Sequence, residues 1–213
     1  MPKISLKGKN LPTSPIRKLS KYATDAKAKG IDVIHLNIGQ PDIDTPAKAL
    51  QAIQSFDKTV LAYGPSEGSL ASRQKMCSYF AKHNIEVQPD DILVTTGASE
   101  AIIMTLDCIT NAGDEHMIPE PFYANYDTFA AACGVKVVPV SSTIDSNFSL
   151  PPIDVIEGKI NAKTRAIFIC NPNNPTGYVY SKKELNDLAT LVKKHDLFLI
   201  VDEVYREFIY DGA

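Results

Sequence analysis

Two apolar runs in the C-terminal part of the chain, Ala166-Ile167-Phe168-Ile169-Cys170 and Leu197-Phe198-Leu199-Ile200-Val201, show no alternation of polar and apolar residues. A strand buried on one face alternates with a period of two, so an uninterrupted run of this length reads as a parallel strand buried on both faces. Each run stops in polar residues: Asn171-Pro172-Asn173-Asn174-Pro175-Thr176-Gly177 after the first, Asp202-Glu203-Val204-Tyr205 after the second. Ligands in open α/β sheets bind in the crevice beyond the carboxyl ends of such strands. An amide and a carboxylate are therefore expected on the rim of a ligand site.

The rest of the chain supports such a sheet. Further strand candidates lie at residues 92–95, 115–118 and 135–138, with helical stretches between them. One helix starts at the capping box Ser181-Lys182-Lys183-Glu184, where serine and glutamate satisfy backbone donors reciprocally. Strands alternating with helices give an α/β fold with a mainly parallel sheet covered on both faces. Ahead of it, Ser14-Pro15-Ile16-Arg17 opens a helix that Gly30 closes, and the apolar residues 33–36 lead into Asn37-Ile38-Gly39-Gln40-Pro41. Thr45 and Pro46 read as the N-cap and first residue of a helix running through Phe56.

Charge narrows the class of partner. With 22 basic against 25 acidic residues and a net charge of -3, the chain has no electrostatic footprint for nucleic acid or an anionic membrane. A small molecule is the better expectation. Cys77, Cys108, Cys133 and Cys170 have neither metal-ligand spacing nor the pattern of a disulfide framework, so they read as reduced thiols of an intracellular protein. The N-terminus lacks an apolar signal region and no stretch is long enough to span a bilayer, which makes the cytoplasm the default location.

Several segments carry chemistry, and each alone has an ordinary explanation. Thr95-Thr96-Gly97-Ala98-Ser99-Glu100-Ala101 supplies an extended segment, a glycine turn and a helix start, which presents backbone amides and a positive dipole end to an anion. Any strand-to-helix turn looks similar. Gly39 lets backbone approach a ligand closely, Tyr63-Gly64-Pro65-Ser66-Glu67-Gly68 puts an aromatic hydroxyl on a turn, and Glu120-Pro121-Phe122-Tyr123 comes after a strand candidate. Asp202 and Asn174, taken singly, are common turn residues, and Tyr123 and Tyr205 are common half-buried aromatics.

Their joint order is specific: Asn-x-Gly-x-Pro, Tyr-Gly-x-x-x-Gly, Thr-Gly-Ala-Ser-Glu, Pro-Phe-Tyr, Asn-Pro-Asn-Asn-Pro-Thr-Gly, Asp-Glu-Val-Tyr. From about Ser14 onward the chain resembles the N-terminal half of class I, fold type I aminotransferases, in the aspartate aminotransferase-like superfamily of pyridoxal 5′-phosphate (PLP) enzymes. The resemblance implies a three-layer α/β/α large domain over residues 45–213, truncated before its last strands, with residues 1–44 forming an N-terminal arm and the first part of a small domain. Asp202 would pair with the protonated ring nitrogen, which a buried carboxylate favours. Asn174 and Tyr205 would contact the phenolate oxygen, Ala98 and Ser99 the phosphate, and Tyr123 would stack on the ring. Gly39 would bind the substrate α-carboxylate through its backbone, and Tyr63 would reach the phosphate of the neighbouring subunit in a homodimer.

The implied reaction moves an amino group between an L-amino acid, with aspartate the first choice, and a 2-oxo acid such as 2-oxoglutarate. A PLP-dependent C–S lyase shares nearly all these residues and is the close alternative. A non-catalytic PLP-binding regulatory module ranks lower, because the roughly 44 residues ahead of the large domain hold no basic helix-turn-helix pattern. Many relatives carry tryptophan where Tyr123 stands, and some aspartate- and prephenate-using members carry lysine where Ser99 stands, so those two positions leave the substrate open. By the same resemblance the Schiff-base lysine and two arginines lie beyond Ala213, and the eleven residues after Asp202 contain no lysine to replace it. The chain alone is thus expected to be inactive and to leave sheet edges unpaired.

Overall fold

The computed structural model describes residues 2–12, 14 and 17–210. Its helices are α1 (Leu6–Asn10), α2 (Ser20–Ala28), α3 (Ala47–Gln54), α4 (Leu70–Lys82), α5 (Ala98–Ile109), α6 (Tyr126–Cys133), α7 (Ile153–Glu157) and α8 (Lys182–Lys194), and its strands are β1 (Glu115–Glu120), β2 (Lys136–Ser141), β3 (Thr164–Cys170) and β4 (Phe198–Asp202). The chain divides into two compact units, one over Ala26–Thr96 and one over the described parts of 1–25 and 97–213. This boundary differs from the division at residue 44 suggested by the resemblance.

In the second of these units the four strands form one sheet in the order β2-β1-β3-β4, and every pairing is parallel. The two faces separate by strand periodicity. Ile118, Phe168 and Cys170 pack with Ile102 and Leu106 of α5 and Tyr126 of α6. Met117, Ile167 and Ile169 point the other way, against Ile156 of α7 and Leu188, Leu191 and Val192 of α8. The layers are therefore helix, sheet, helix. The Ser181 capping box forms as its sequence dictates: the hydroxyl accepts from the Glu184 amide at 3.3 Å while Glu184 Oε2 accepts from the Ser181 amide at 2.8 Å.

Chain order makes a switch point between β1 and β3, because β2 extends the sheet to one side and β4 to the other. The β1–β3 ladder stops at Met117 and Ile167, whereas β1 stays paired with β2 to Glu120 and β3 with β4 to Cys170 and Asp202. Beyond that point the backbones on either side are free to diverge. Hydrogen bonds then tie down the segment after β3: the Asn171 amide donates to the Asp202 carbonyl at 2.9 Å, and Asn171 Oδ1 accepts from the Tyr180 amide at 3.0 Å.

Three expectations need correction. Residues 92–95 are not in the sheet; Ile92 is extended, but the Val94 amide donates to the Glu67 carbonyl at 3.0 Å in a loop contact instead of a ladder. A strand propensity is realised only where a partner strand lies alongside, and the described strands offer none there. The early helix begins at Ser20 and not at Ser14, and Pro15 and Ile16 lie outside the described residues. Pro46, with ψ of 126°, is itself the N-cap of α3, one residue later than expected, and the helix stops at Gln54.

Unit Ala26–Thr96 is organised by a residue that the motifs did not single out. Arg73 on α4 is only 6% exposed. Its Nε donates to the Gly68 carbonyl at 3.2 Å, its Nη1 to the Pro89 carbonyl at 2.6 Å and to Asp90 at 3.2 Å, and its Nη2 to Glu67 at 3.4 Å. One guanidinium thus joins the turn ending at Gly68 to the turn at Pro89–Asp91. Gly68 is required there on two counts, since its φ is +94° and a Cβ would sit 2.6 Å from Val94 Cγ2. Replacing Arg73 with alanine is expected to raise amide hydrogen exchange over residues 67–91 by about tenfold while leaving β1–β4 unchanged, because charge-assisted bonds to backbone carbonyls are lost together. Equal protection in mutant and wild type would show that the two turns hold without it.

Candidate cofactor site

A cavity of about 210 Å³ opens at the carboxyl ends of β3 and β4, lined from α5, from the segment after β1 and from both strand ends. Ala98, Ser99, Tyr123, Asn174, Asp202 and Tyr205 all line it. These are the six same-subunit residues that the motif order pointed to, and they come from sequence positions more than a hundred residues apart.

The α5 side is a helix start. Gly97 is the N-cap with φ of 79° and ψ of 171°, and as a glycine it offers no capping side chain of its own. A Cβ on Gly97 would meet nothing within 4 Å, so it is the left-handed φ that calls for glycine there. The first-turn amides of an α-helix lack intrahelical acceptors and carry the positive end of the dipole, which suits this wall of the cavity to an anion.

Opposite stands Asp202, the last residue of β4. Its Oδ1 accepts from the Val204 amide at 3.0 Å and its Oδ2 accepts from the Tyr126 hydroxyl at 2.9 Å. Ionised, it retains acceptor capacity toward a donor in the cavity. Asn174 Nδ2 donates to the Tyr205 hydroxyl over a long 3.4 Å, and both groups line the cavity with donor capacity to spare. The turn that aims Asn174 is held by its neighbour: Asn173 Nδ2 donates to the Pro121 carbonyl at 3.1 Å and to Thr176 Oγ1 at 2.7 Å. Asn173 therefore ties the turn after β3 to the segment carrying Tyr123.

Tyr123 forms an aromatic wall. Its hydroxyl accepts from Asn125 Nδ2 at 2.7 Å, and Asn125 Oδ1 accepts from Ser14 Oγ at 3.0 Å. Behind it Tyr126 is buried, with its ring 5.4 Å from that of Tyr123 and 4.4 Å from that of Phe168. Burial and the nearby Cys170 and Asp202 push the Tyr126 hydroxyl far above the usual tyrosine range, so it stays a donor at any working pH. Burial also raises the Cys170 thiol at the cavity floor. Tyr126 and Asn125 carry no motif in the sequence, and Asn171 and Asn173 stand inside one without their roles being readable, because each acts through a partner distant in the chain or through the turn it holds.

Gly39 and Tyr63 belong to the other unit. Tyr63 is fully exposed there, and a Cβ on Gly39 would meet nothing within 4 Å. Among the described residues no group of three or more His, Cys, Asp or Glu side chains is placed to hold a metal ion, and no helix is long and apolar enough to cross a membrane.

The donor set fits PLP. A helix start suits its phosphate, a carboxylate its ring nitrogen, the Asn174 amide and Tyr205 hydroxyl its phenolate oxygen, and an aromatic wall its ring face. Similarity to known proteins agrees with that chemistry. A family model described as aminotransferase class I and II matches residues 31–213. An aspartate aminotransferase from Bacillus sp. (strain YM-2) is 33% identical over 207 residues, covering 96% of this chain and 53% of that protein. Aromatic-amino-acid aminotransferase 2 of Thermococcus litoralis is 38% identical over 204 residues, covering 94% of this chain and 51% of its own length. The solved aspartate aminotransferase of Thermotoga maritima superposes with a TM-score of 0.91 at 30% identity, over 98% of this chain and 56% of that structure. The chain spans about half the length of the curated relatives it matches.

Proposed function

The chain belongs to the class I and II aminotransferases, and from that premise we propose that it forms the PLP-binding part of an enzyme that transfers an amino group from an L-amino acid, aspartate being the first candidate, to a 2-oxo acid such as 2-oxoglutarate. Enzymes of this family depend on PLP. The observation that carries the proposal is the convergence of Ala98, Ser99, Tyr123, Asn174, Asp202 and Tyr205 on one cavity at the switch point of a parallel sheet.

When bound, PLP supplies an electron sink conjugated to the substrate amine. The chain's residues would prepare that sink. Asp202, held by Val204 and Tyr126, would accept the ring N–H and favour the charged nitrogen. Asn174 and Tyr205 would donate to the phenolate oxygen, the amides of Ala98 and Ser99, with the Ser99 hydroxyl, would hold the phosphate, and Tyr123 would stack on the ring. Gly39 offers its backbone to the substrate α-carboxylate, and Tyr63 serves the phosphate site of a neighbouring subunit in a homodimer.

Two measurements on the full-length protein test this. With PLP and 2-oxoglutarate, formation of glutamate is expected from aspartate and from a limited set of other L-amino acids; production of pyruvate, ammonia and a thiol from cystathionine-type substrates, with no glutamate, would favour the lyase reading. Mixing Tyr63→Phe protein with Asp202→Ala protein under subunit exchange is expected to restore activity, since each heterodimer then holds one site without either change. No recovery despite verified exchange would rule out the shared site.

A further inference from the structure

The hydrogen bond between Tyr126 and Asp202 joins residues 76 positions apart in the sequence. The Tyr126 ring is already held by aromatic neighbours: Phe168 at 4.4 Å, Tyr123 edge-on at 5.4 Å and Phe122 stacked at 6.3 Å. Its hydroxyl emerges from that cluster onto Asp202 Oδ2, while the Val204 amide takes Oδ1. Each carboxylate oxygen thus receives one donor from the protein.

A carboxylate with one donor on each oxygen is fixed in orientation, and a carboxylate fixed beside a ring nitrogen favours the charged pyridinium. We infer that Tyr126 is a positioning residue that holds the Asp202 carboxylate turned toward the cavity, so that it meets the ring nitrogen of bound PLP and that nitrogen retains its proton. This rests on the assignment of Asp202 above and adds the residue that makes it effective. The Val204 amide supplies the same kind of bond from the backbone, where substitution cannot remove it, so Tyr126 is the adjustable half of the pair.

The test uses full-length protein reconstituted with PLP carrying ¹⁵N at the ring position, observed by NMR at a single neutral pH, with kcat, KM and PLP affinity measured alongside. Asp202→Ala serves as the reference for a ring that has lost its partner. In Tyr126→Phe, which keeps the ring packing, the ¹⁵N resonance is expected to move from the pyridinium position toward that of Asp202→Ala. The same variant should lose about tenfold in kcat while KM and PLP affinity change less than about twofold, the size expected for one hydrogen bond to a charged group. An unmoved resonance in Tyr126→Phe, with Asp202→Ala clearly shifted, would overturn the role of Tyr126 and leave the Asp202 assignment standing. A fall in kcat matched by weaker PLP binding, again with the resonance unmoved, would reduce Tyr126 to a packing role. If Asp202→Ala itself left the resonance at the pyridinium position, the Asp202 assignment would fail and the inference with it.

Discussion

Asp202→Ala is expected to lower kcat of the full-length enzyme by roughly 10²- to 10³-fold, the range found when one preorganised electrostatic group is removed from an active site. The expectation comes from position: Asp202 ends β4 at the carboxyl edge of the sheet, lines the cavity with Asn174 and Tyr205, and has both oxygens oriented by protein donors. Without that carboxylate a bound ring nitrogen loses the charge that favours its protonated form, and an unprotonated ring withdraws electrons poorly. Asp202→Asn separates charge from shape. It can still meet the Val204 and Tyr126 groups but carries no charge, so it should be nearly as impaired as alanine. Near-wild-type turnover in either variant would remove Asp202 from the mechanism.

His116 is expected to make the fold acid-sensitive. It lies on β1, is 0% exposed, and neither ring nitrogen has a hydrogen-bond partner. Phe168 sits edge-on at 6.2 Å. Burial lowers its pKa from 6.5 to about 4. A base whose native pKa is depressed binds its proton more readily in the unfolded chain, so stability is complete above about 6.5 and declines as pH falls toward about 4. At about 1.4 kcal/mol for each unit of pKa, the loss amounts to about 3 kcal/mol once both states are protonated. Urea midpoints of wild type and His116→Leu, compared from about pH 7.5 down to about 4, isolate this group from the carboxylates that titrate in both proteins. The leucine variant should be the more stable, increasingly so in acid, since it also removes two unsatisfied nitrogens. Parallel profiles for the two proteins would show that His116 finds a partner or does not resist protonation.

How much of the fold and the site is legible in the sequence depends on how far each interaction reaches along the chain. The Ser181 cap spans three residues, and the uninterrupted apolar run of β3 announces burial on both faces within five, whereas the equally apolar run of β4 forms its strand but leaves Phe198 54% and Val201 37% exposed, because burial needs a neighbour that the run itself cannot supply. Such signals are local, so they are readable. The polar residues that terminate those strands are readable for the same reason, and with the α5 start and Tyr123 they make up much of the cavity lining. Residues 92–95 look equally strand-like and are not in the sheet, because a ladder needs a second strand at the right place and propensity cannot supply one.

Long-range partners are decided by tertiary structure alone. Arg73 reads as a charged residue on a helix surface, yet folding closes the loop to Pro89 and buries its guanidinium between two turns. His116 reads as a polar residue at a strand start, and only its central place on β1, between β2 and β3, seals it from water. Tyr126 carries no motif, and its hydroxyl meets Asp202 because α6 and the end of β4 come together on one side of the switch point. The amino-acid sequence by itself determined the element types, the parallel sheet and the chemistry along its rim, since these arise from periods of 2 and 3.6 residues and from caps within one turn. Which side chains orient that chemistry, and which strand candidate stays out of the sheet, depends on contacts between residues far apart in sequence, which exist only once the chain has closed on itself.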